Sequence, residues 1–296
     1  MFSSQRTLGL ALGLVGVIIF GGTLPVTRLV VQHIDPWFLT AARATIGGVA
    51  ALIVLLIFRR AMPRGQFGSF ATLTLCLVLG FPVLSALALT TVPSAHGGVV
   101  LALLPLATAA AAVLVAGERP SPAFWFFAVL GSAIVIVFAL RDSALTIVAG
   151  DIFLLLSIIV TAPGYALSGR MARTMPGWEV ISWALVLGLP FALPAMIWLW
   201  PDNAADVPLP AWLGVLYVAL MSQYAGFWAW NAGLAMGGVA RVGQVQLLQP
   251  FVTFVLAALI VGEAIHWELV AFALAVVVVV ALGRRAAVGG PPPPAG

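Results

Sequence analysis

The sequence predicts an all-α integral membrane protein, with ten transmembrane helices in two inverted five-helix repeats around a central cavity. The first observation is composition. Of 296 residues, 63% are hydrophobic and 7% are charged, whereas about 25% of the residues in a typical soluble domain are charged. The second is a series of apolar segments that each reach the roughly 20 residues a helix needs to cross hydrocarbon. The third is an internal repeat at an offset of 145 residues.

Proline, glycine and arginine divide the apolar sequence into ten candidate spans. These are residues 8–31, 36–58, 67–91, 94–116, 121–140, 148–170, 178–200, 210–233, 238–261 and 266–283. The first run also resembles a signal peptide, but it continues to about Val31 without a clear small-residue cleavage site, so we expect a retained span. Residues 286–296 include GGPPPPAG. Because consecutive prolines cannot form a helix, a disordered tail is expected there.

The placement of the 13 basic residues, all of them arginine, predicts the orientation. With the N-terminus in the cytoplasm, ten arginines fall at cytoplasmic ends of the spans, Arg28 and Arg141 at external ends, and Arg43 within the second span. This excess predicts a multi-pass protein of a bacterial inner membrane with both termini cytoplasmic. The arginines form no basic stripe with interleaved aromatic residues, so the lipid bilayer is the expected partner and nucleic acid is not.

The sequence offers little to an enzyme or a metal site. Its single cysteine, Cys76, lies in an apolar run and cannot build a disulfide framework or a cysteine metal site. The carboxylates fall at or near span ends, and neither an H-E-x-x-H motif nor a midplane pair of acids is present. We therefore predict no cofactor, no metal, no catalytic residue and no proton or sodium relay. An intramembrane enzyme is the alternative from a different functional class.

An offset of 145 residues superimposes LLPLATAAAAVLVAGE (103–118) on LQPFVTFVLAALIVGE (248–263). Pro105 then falls on Pro250, and Glu118 on Glu263. The chain therefore divides into residues 1–145 and 146–285, with five spans each. Because five is odd, the second half starts on the other side of the membrane, and inverted halves are a basis of alternating access in many carriers. A duplication kept only for packing is the alternative.

With ten spans in two halves, and LLP…GE in the fourth span matching LLQP…GE in the ninth, the chain resembles the EamA family of the drug/metabolite transporter superfamily. Within it, the chain most resembles the YddG-type exporters of aromatic and neutral amino acids. The resemblance covers residues 7–284 and implies a basket-like bundle around a central cavity, exporting small metabolites. It favours an exporter of small neutral and aromatic amino acids or similar metabolites, uncoupled or weakly coupled, rather than an enzyme. A monomer or weak homo-oligomer is expected. A multidrug or nucleotide-sugar carrier and a signalling receptor are alternatives.

The ninth span carries polar groups that we expect to line a transport path. Gln246, Gln249 and Thr253 follow i, i+3, i+7 spacing and so share one helix face. Pro250 cannot donate to the carbonyl of Gln246, and a free carbonyl beside amides can coordinate a zwitterion. The equivalent segment of the first half, GVVLALLP, lacks the glutamines, so the fold does not require them. Hydrogen bonding between packed helices is the alternative.

The eighth span places Tyr224, Trp228 and Asn231 at i, i+4, i+7. Large rings that end in a polar group suit an apolar or aromatic substrate side chain, with hydrogen bonds that fix its orientation. An interfacial aromatic belt is the alternative for these residues.

Two ionisable side chains are further candidate substrate ligands. His96 opens the fourth span, where unpaired N–H groups and the helix dipole attract a carboxylate. A hydrogen-bonded packing role is the alternative. Arg43 lies about one-third into the second span, where it either snorkels to the surface or pairs with another group.

Interrupted helices at equivalent places in the two halves also point to a binding site. Thr23 lies in GGTLPVTR, and Tyr165 lies in APGYALSGR. We therefore expect both side chains near the path, which the first, fourth, sixth and ninth spans would line. Close packing through small residues is the alternative. The expected gating breaks are Pro25, Pro105, Pro163 and Pro250.

Overall fold

In a computed structural model, the described residues are 2–140, 149–261, 267–283 and 288–289. They form helical segments in ten places along the chain. The segments are α1 (Phe2–Gly21, continuing as Thr23–Val31), α2 (Pro36–Ile57), α3 (Phe67–Thr91), α4 (Ser94–Ala116), α5 (Pro122–Leu140), α6 (Ala149–Met171), α7 (Gly177–Trp198), α8 (Leu209–Leu216 through Gly226–Gly237), α9 (Val239–Gly243 through Gln249–Val261) and α10 (Trp267–Gly283). Two short strands, β1 (Arg119–Pro120) and β2 (Val288–Gly289), pair antiparallel.

Seven of these segments are long and apolar enough to cross a membrane. They are α1, α2, α3, α4, α6, α7 and α9. The other three segments, α5, α8 and α10, lie where the sequence predicts further spans. Crossing of the membrane by these three segments therefore rests on the sequence pattern alone. The predicted tail lies largely outside the described residues, apart from the pair of residues that forms β2.

Local sequence signals explain where several helices begin and end. The carboxylate of Asp35 accepts hydrogen bonds from the backbone N–H groups of Trp37 and Phe38, at 2.8 and 3.2 Å, and so caps α2. Gly117 ends α4 with a φ of 67°, and Gly238 joins α8 to α9 with a φ of 88°. Glycine adopts these left-handed conformations without the steric cost of a Cβ atom.

The helix contacts are related by exchange of the two halves. Helix α1 packs on α8 as α6 packs on α3, and α4 packs on α6 as α9 packs on α1. Three further pairs, α2 with α7, α5 with α10 and α4 with α9, each join equivalent helices. The described part of the bundle therefore has a pseudo-two-fold axis, and its helix–helix contacts follow the 145-residue repeat.

Departures from α-helical geometry follow the same repeat. A π-helical stretch occupies Thr74–Gly80 in α3, and another occupies Tyr217–Ala225 in α8. A 3₁₀ turn occupies Leu101–Leu103 in α4, and a longer one occupies Gln244–Leu248 in α9. Each stretch in the first half falls within its partner when shifted by 145 residues. The irregular geometry is thus a shared property of both repeats.

The prolines predicted as helix breaks behave in two ways. Pro105 and Pro250 each lie two residues after the end of a 3₁₀ turn, in α4 and α9, as expected where a missing N–H leaves the preceding turn to tighten. Pro25 follows the turn at Gly22 between the two parts of α1. Pro163 departs from the expectation, because α6 remains α-helical through it. One lost intrahelical hydrogen bond is compatible with a continuous helix when the others remain.

The two ends of the bundle can be named by their buried acids. Glu118 lies at one end, with the end of α6 and the start of α9, since its carboxylate contacts Arg173 and the amide of Val239. Asp151, at the start of α6, marks the opposite end. Gln5, near the start of α1, shares a recess with Arg173 and so lies at the Glu118 end. The first helices of the two halves therefore begin at opposite ends, which supports the inverted relation.

Candidate functional site

A narrow cavity lies at the centre of the bundle, between α1, α2, α3, α4, α6, α8 and α9. Its volume is about 20 Å³, which is room for one or two water molecules. The helices must therefore move apart before a larger ligand can enter. The lining residues are Phe20, Thr23, Arg43, Leu77, Phe81, Leu101, Leu104, Thr161, Tyr165, Ser222, Phe227 and Gln249.

Arg43 is the charged group of this cavity. Its side chain does not snorkel, since the residue is only 4% exposed. Its Nη2 atom donates to Ser222 Oγ at 3.2 Å, and that hydroxyl is 2.7 Å from Thr23 Oγ1. The Nε atom of Arg43 is buried without a hydrogen-bond partner. Within the described ranges, no acidic side chain pairs with Arg43, so its charge is balanced only by hydroxyl dipoles.

The cavity lining combines polar and apolar side chains, and the repeat accounts for part of this mixture. Three pairs of lining residues are related by the 145-residue offset, and the second-half member of each pair carries the polar group. The pairs are Phe20 with Tyr165, Leu77 with Ser222, and Leu104 with Gln249. The two halves therefore contribute equivalent positions to the cavity, with different chemistry at each.

The three polar residues predicted in α9 have different surroundings. Gln249 lines the central cavity. Gln246 is buried beside Tyr165, and neither atom of its amide has a hydrogen-bond partner of good geometry. Thr253 donates to the carbonyl of Gly21 at 2.9 Å, so it ties α9 to α1. A second small space, of about 10 Å³, lies beside Gln249, Pro250 and Thr253.

The face predicted in α8 does not line the central cavity. The Tyr224 hydroxyl is 2.9 Å from Ser182 Oγ, and Asn231 Nδ2 donates to the carbonyl of Gly177 at 3.1 Å. Both side chains thus hold α8 to α7. Trp228 is 38% exposed and lines an open recess of about 540 Å³ at the Glu118 end, together with Trp178.

His96 lies at the Asp151 end of the bundle, away from the central cavity. Its Nε2 atom is 2.5 Å from Asp151 Oδ1, so the pair joins the start of α4 to the start of α6. The 145-residue offset relates His96 to Arg241 and Asp151 to Arg6. A histidine–carboxylate contact at one end therefore corresponds to two arginines at the other.

Glu118 joins three helices at its own end. Its two carboxylate oxygens accept from the amides of Val239 and Ala240, each at 2.7 Å, and Oε1 also accepts from Arg173 Nη2 at 2.7 Å. A carboxylate at the first N–H groups of a helix is favourable because those groups have no intrahelical acceptor. The end of α4 is thereby fixed to the start of α9 and to the chain after α6. Glu263, the repeat counterpart of Glu118, lies outside the described residues.

Sequence reasoning missed several lining residues, above all Ser222, which binds both Arg43 and Thr23. It also missed the apolar side chains of Phe20 and Phe81 and the hydroxyl of Thr161, which line the cavity. Pairing each predicted polar residue with its repeat counterpart would have found Phe20, because Tyr165 falls on it. In the part of the chain that the structure describes, no group of three or more His, Cys, Asp or Glu side chains is arranged to hold a metal ion.

A pseudo-symmetric bundle of membrane-length helices around a buried cavity with polar and apolar lining is typical of a membrane carrier. Comparison with known proteins agrees. The model of the EamA-like transporter family matches the chain twice, over residues 7–140 and 148–283. The chain therefore belongs to the EamA-like transporter family, and each match covers one half of it.

Named relatives support the same assignment, and a solved structure shows the same fold. The chain is 47% identical over 275 residues to the uncharacterized transporter YdeK of Bacillus subtilis (strain 168), covering 93% of this chain and 96% of that protein. It is 22% identical over 264 residues to the uncharacterized transporter YyaM of the same strain, covering 86% of each. A crystal structure with 22% identity has a TM-score of 0.73, covering 94% of this chain and 96% of its own, and it shows a shared fold.

Proposed function

We propose that the protein exports small neutral and aromatic amino acids, or similar metabolites, across a bacterial inner membrane by alternating access. The observation that carries this proposal is the mixed lining of the central cavity. It combines the hydrogen-bonding side chains of Tyr165, Ser222 and Gln249 with apolar side chains such as Phe20 and Leu77. Small-molecule sites combine an apolar lining with a few polar groups that fix orientation, and amino acids with apolar side chains have the matching chemistry.

Alternating access is supported by the separate closures at the two ends. Glu118 closes one end by binding the start of α9, and the His96–Asp151 contact joins α4 to α6 at the other. Since the two contacts share no residue, either can open while the other holds. We propose that α5, α8 and α10 complete ten crossings, with both termini in the cytoplasm. The Glu118 end is then cytoplasmic.

Transport without an obligatory coupling ion is supported by the chemistry of the lining. Among the described residues around the cavity, no carboxylate is available to bind sodium or relay a proton. A single cation, Arg43, also gives little support to a nucleotide-sugar substrate, whose two phosphates favour several cations. We propose that the protein works as a monomer or a weak homo-oligomer.

Counterflow in proteoliposomes tests the proposal. Purified protein is reconstituted into vesicles loaded with unlabelled phenylalanine, alanine or threonine, and entry of the labelled amino acid is followed with and without a pH gradient. We expect accumulation that is independent of the gradient and absent from protein-free vesicles. Failure of every amino acid to accumulate would refute the amino-acid proposal. Accumulation only under a pH gradient would refute uncoupled transport.

A further inference from the structure

We infer that Arg43, with Ser222 and Thr23, is the anchor for a carboxylate on the substrate, and that an ammonium group is not required. This inference rests on the proposed function and specifies the substrate class of the same cavity: monocarboxylates with an apolar body. Amino acids and their 2-oxo counterparts both belong to this class. Amines and amides of the same shape do not.

The first argument is the burial of an arginine without an acidic partner. Removing a guanidinium from water costs several kcal/mol unless an opposite charge and further hydrogen bonds compensate. Arg43 has one hydroxyl acceptor, Ser222, and an unpartnered Nε atom. In the empty protein this cation is therefore poorly compensated, and an anionic ligand that reaches the cavity would supply the missing charge.

The second argument is the geometry of the donors. A guanidinium offers a planar pair of donors that matches the two oxygens of a carboxylate. The hydroxyls of Ser222 and Thr23 are 2.7 Å apart, and Ser222 is already bound to Arg43. All three side chains line the cavity, so a carboxylate placed there meets one cation and two hydroxyl groups.

The third argument is the repeat, because it shows that the fold does not require Arg43 or Ser222 at these positions. The counterpart of Arg43 is Gly188 and that of Ser222 is Leu77. A Cβ atom on Gly188 would lie 3.3 Å from Val78 Cγ1, so an alanine fits there only if that methyl group shifts slightly. The cation is thus an addition to one half of a pseudo-symmetric bundle, as the glutamines of α9 are.

The rest of the lining explains why the ammonium is optional. Phe20, Phe81, Leu101 and Leu104 offer apolar surface to the substrate body. The neutral hydrogen-bonding groups of the same cavity, such as the Gln249 amide, can accept from an ammonium or donate to a keto oxygen. Within the described lining, no carboxylate is placed to select the ammonium, so the carboxylate is the selected group.

A matched set of inhibitors tests the inference. Counterflow of labelled phenylalanine by the wild-type protein is measured with excess unlabelled phenylpyruvate, phenethylamine or phenylalaninamide. We expect strong inhibition by phenylpyruvate and at least about tenfold weaker inhibition by the amine and the amide, as the loss of a charge-assisted contact implies. Equal inhibition by all compounds would overturn the carboxylate anchor while leaving amino-acid transport established. If phenylpyruvate does not inhibit counterflow, the ammonium group is required for binding, and that part of the inference is overturned.

Variants provide the second measurement. Arg43→Gln is expected to reduce phenylalanine counterflow at least about tenfold, whereas Arg60→Gln, at an exposed arginine paired with Glu179, leaves it nearly unchanged. Full activity of a folded Arg43→Gln protein would overturn the anchor. If that variant does not fold, Ser222→Ala is used, with an expected several-fold rise in the concentration of phenylalanine needed for half-maximal transport. If the wild type transports no amino acid, thermal stabilisation by phenylpyruvate but not by phenethylamine still supports the anchor, and its absence overturns it.

Discussion

The side chain of Gln223 donates a hydrogen bond from Nε2 to the backbone carbonyl of Val78, at 3.0 Å. Gln223 and Val78 are counterparts at the 145-residue offset, so each residue contacts its own repeat partner across the pseudo-two-fold axis. Both lie in π-helical stretches, in α8 and α3. This contact joins the irregular helices of the two halves directly beside the central cavity, since the neighbouring Leu77 and Ser222 line it.

Replacing Gln223 by leucine should lower stability. The substitution removes the donor to the Val78 carbonyl and leaves a buried acceptor without that partner, which costs about 1–3 kcal/mol. We expect a clear decrease in the midpoint of thermal unfolding in detergent. An unchanged midpoint would show that the carbonyl finds another donor and that this contact does not hold the halves together.

Replacing Gln246 by leucine provides the matched contrast. Gln246 is also a buried glutamine, but its amide atoms have no good hydrogen-bond partner, and its counterpart in the first half is Leu101. Because the amide lies beside Tyr165 without good hydrogen-bond geometry, its removal should change the unfolding midpoint little. Phenylalanine counterflow should fall several-fold if the amide serves the substrate. Normal transport by the folded variant would return Gln246 to a packing role.

The sequence predicts the helices well because hydrophobic length, proline and glycine control where they begin and end. The predicted span 36–58 corresponds to Pro36–Ile57, and 94–116 corresponds to Ser94–Ala116. These boundaries depend on local physics: a cap at Asp35, for example, and a left-handed glycine at position 117. Long-range packing is not needed to find them.

The site is harder to predict because helix faces depend on local geometry. The spacing of Tyr224, Trp228 and Asn231 assumes an ideal α-helix, but Tyr224 lies in a π-helical stretch, where each turn holds more residues. Gln246 lies in a 3₁₀ turn, which holds fewer. These changes rotate neighbouring side chains relative to the ideal face. Arg43 and Ser222, far apart in sequence, meet only through tertiary packing.

The close contact of α1 with α8 predicts a severe effect of a single methyl group. A Cβ atom on Gly233 would lie 2.8 Å from the backbone nitrogen of Gly13 and 2.8 Å from the carbonyl oxygen of Gly9. Small residues allow membrane helices to approach this closely, so Gly233→Ala should force α1 and α8 apart and lower the unfolding midpoint. Gly68→Ala is the control, since no atom lies within 4 Å of its Cβ position. Equal midpoints for the two variants would contradict the prediction.

Glu118 should control access from its end of the bundle. In Glu118→Gln, the charged contacts to Arg173 and to the start of α9 are weakened, so the end should open more often. A single cysteine at Val242, buried in α9, is labelled with a small maleimide in a Cys76→Ala background. We expect labelling at least about fivefold faster than with Glu118 intact. A fivefold change corresponds to a shift of about 1 kcal/mol in the opening equilibrium of this end.

The control for this labelling is Glu179→Gln. Glu179 is also a buried acid, but its partner is Arg60, 3.5 Å away, and it does not bind the start of α9. Its replacement should leave the labelling rate of the cysteine at position 242 unchanged. If both variants accelerate labelling equally, general loosening of the bundle explains the result and Glu118 is not the specific closure.

The unpaired charge of Arg43 further predicts that exchange is faster than net transport. A closed, empty cavity contains a poorly compensated cation, whereas a bound carboxylate neutralises it, so closure is less costly with substrate than without. Efflux of labelled phenylalanine from loaded vesicles should therefore accelerate about tenfold when unlabelled phenylalanine is added outside. In Arg43→Gln the remaining efflux should lose most of this acceleration, because the empty cavity no longer holds a charge. Equal efflux by the wild-type protein with and without external substrate would show that the empty carrier closes as readily as the loaded one.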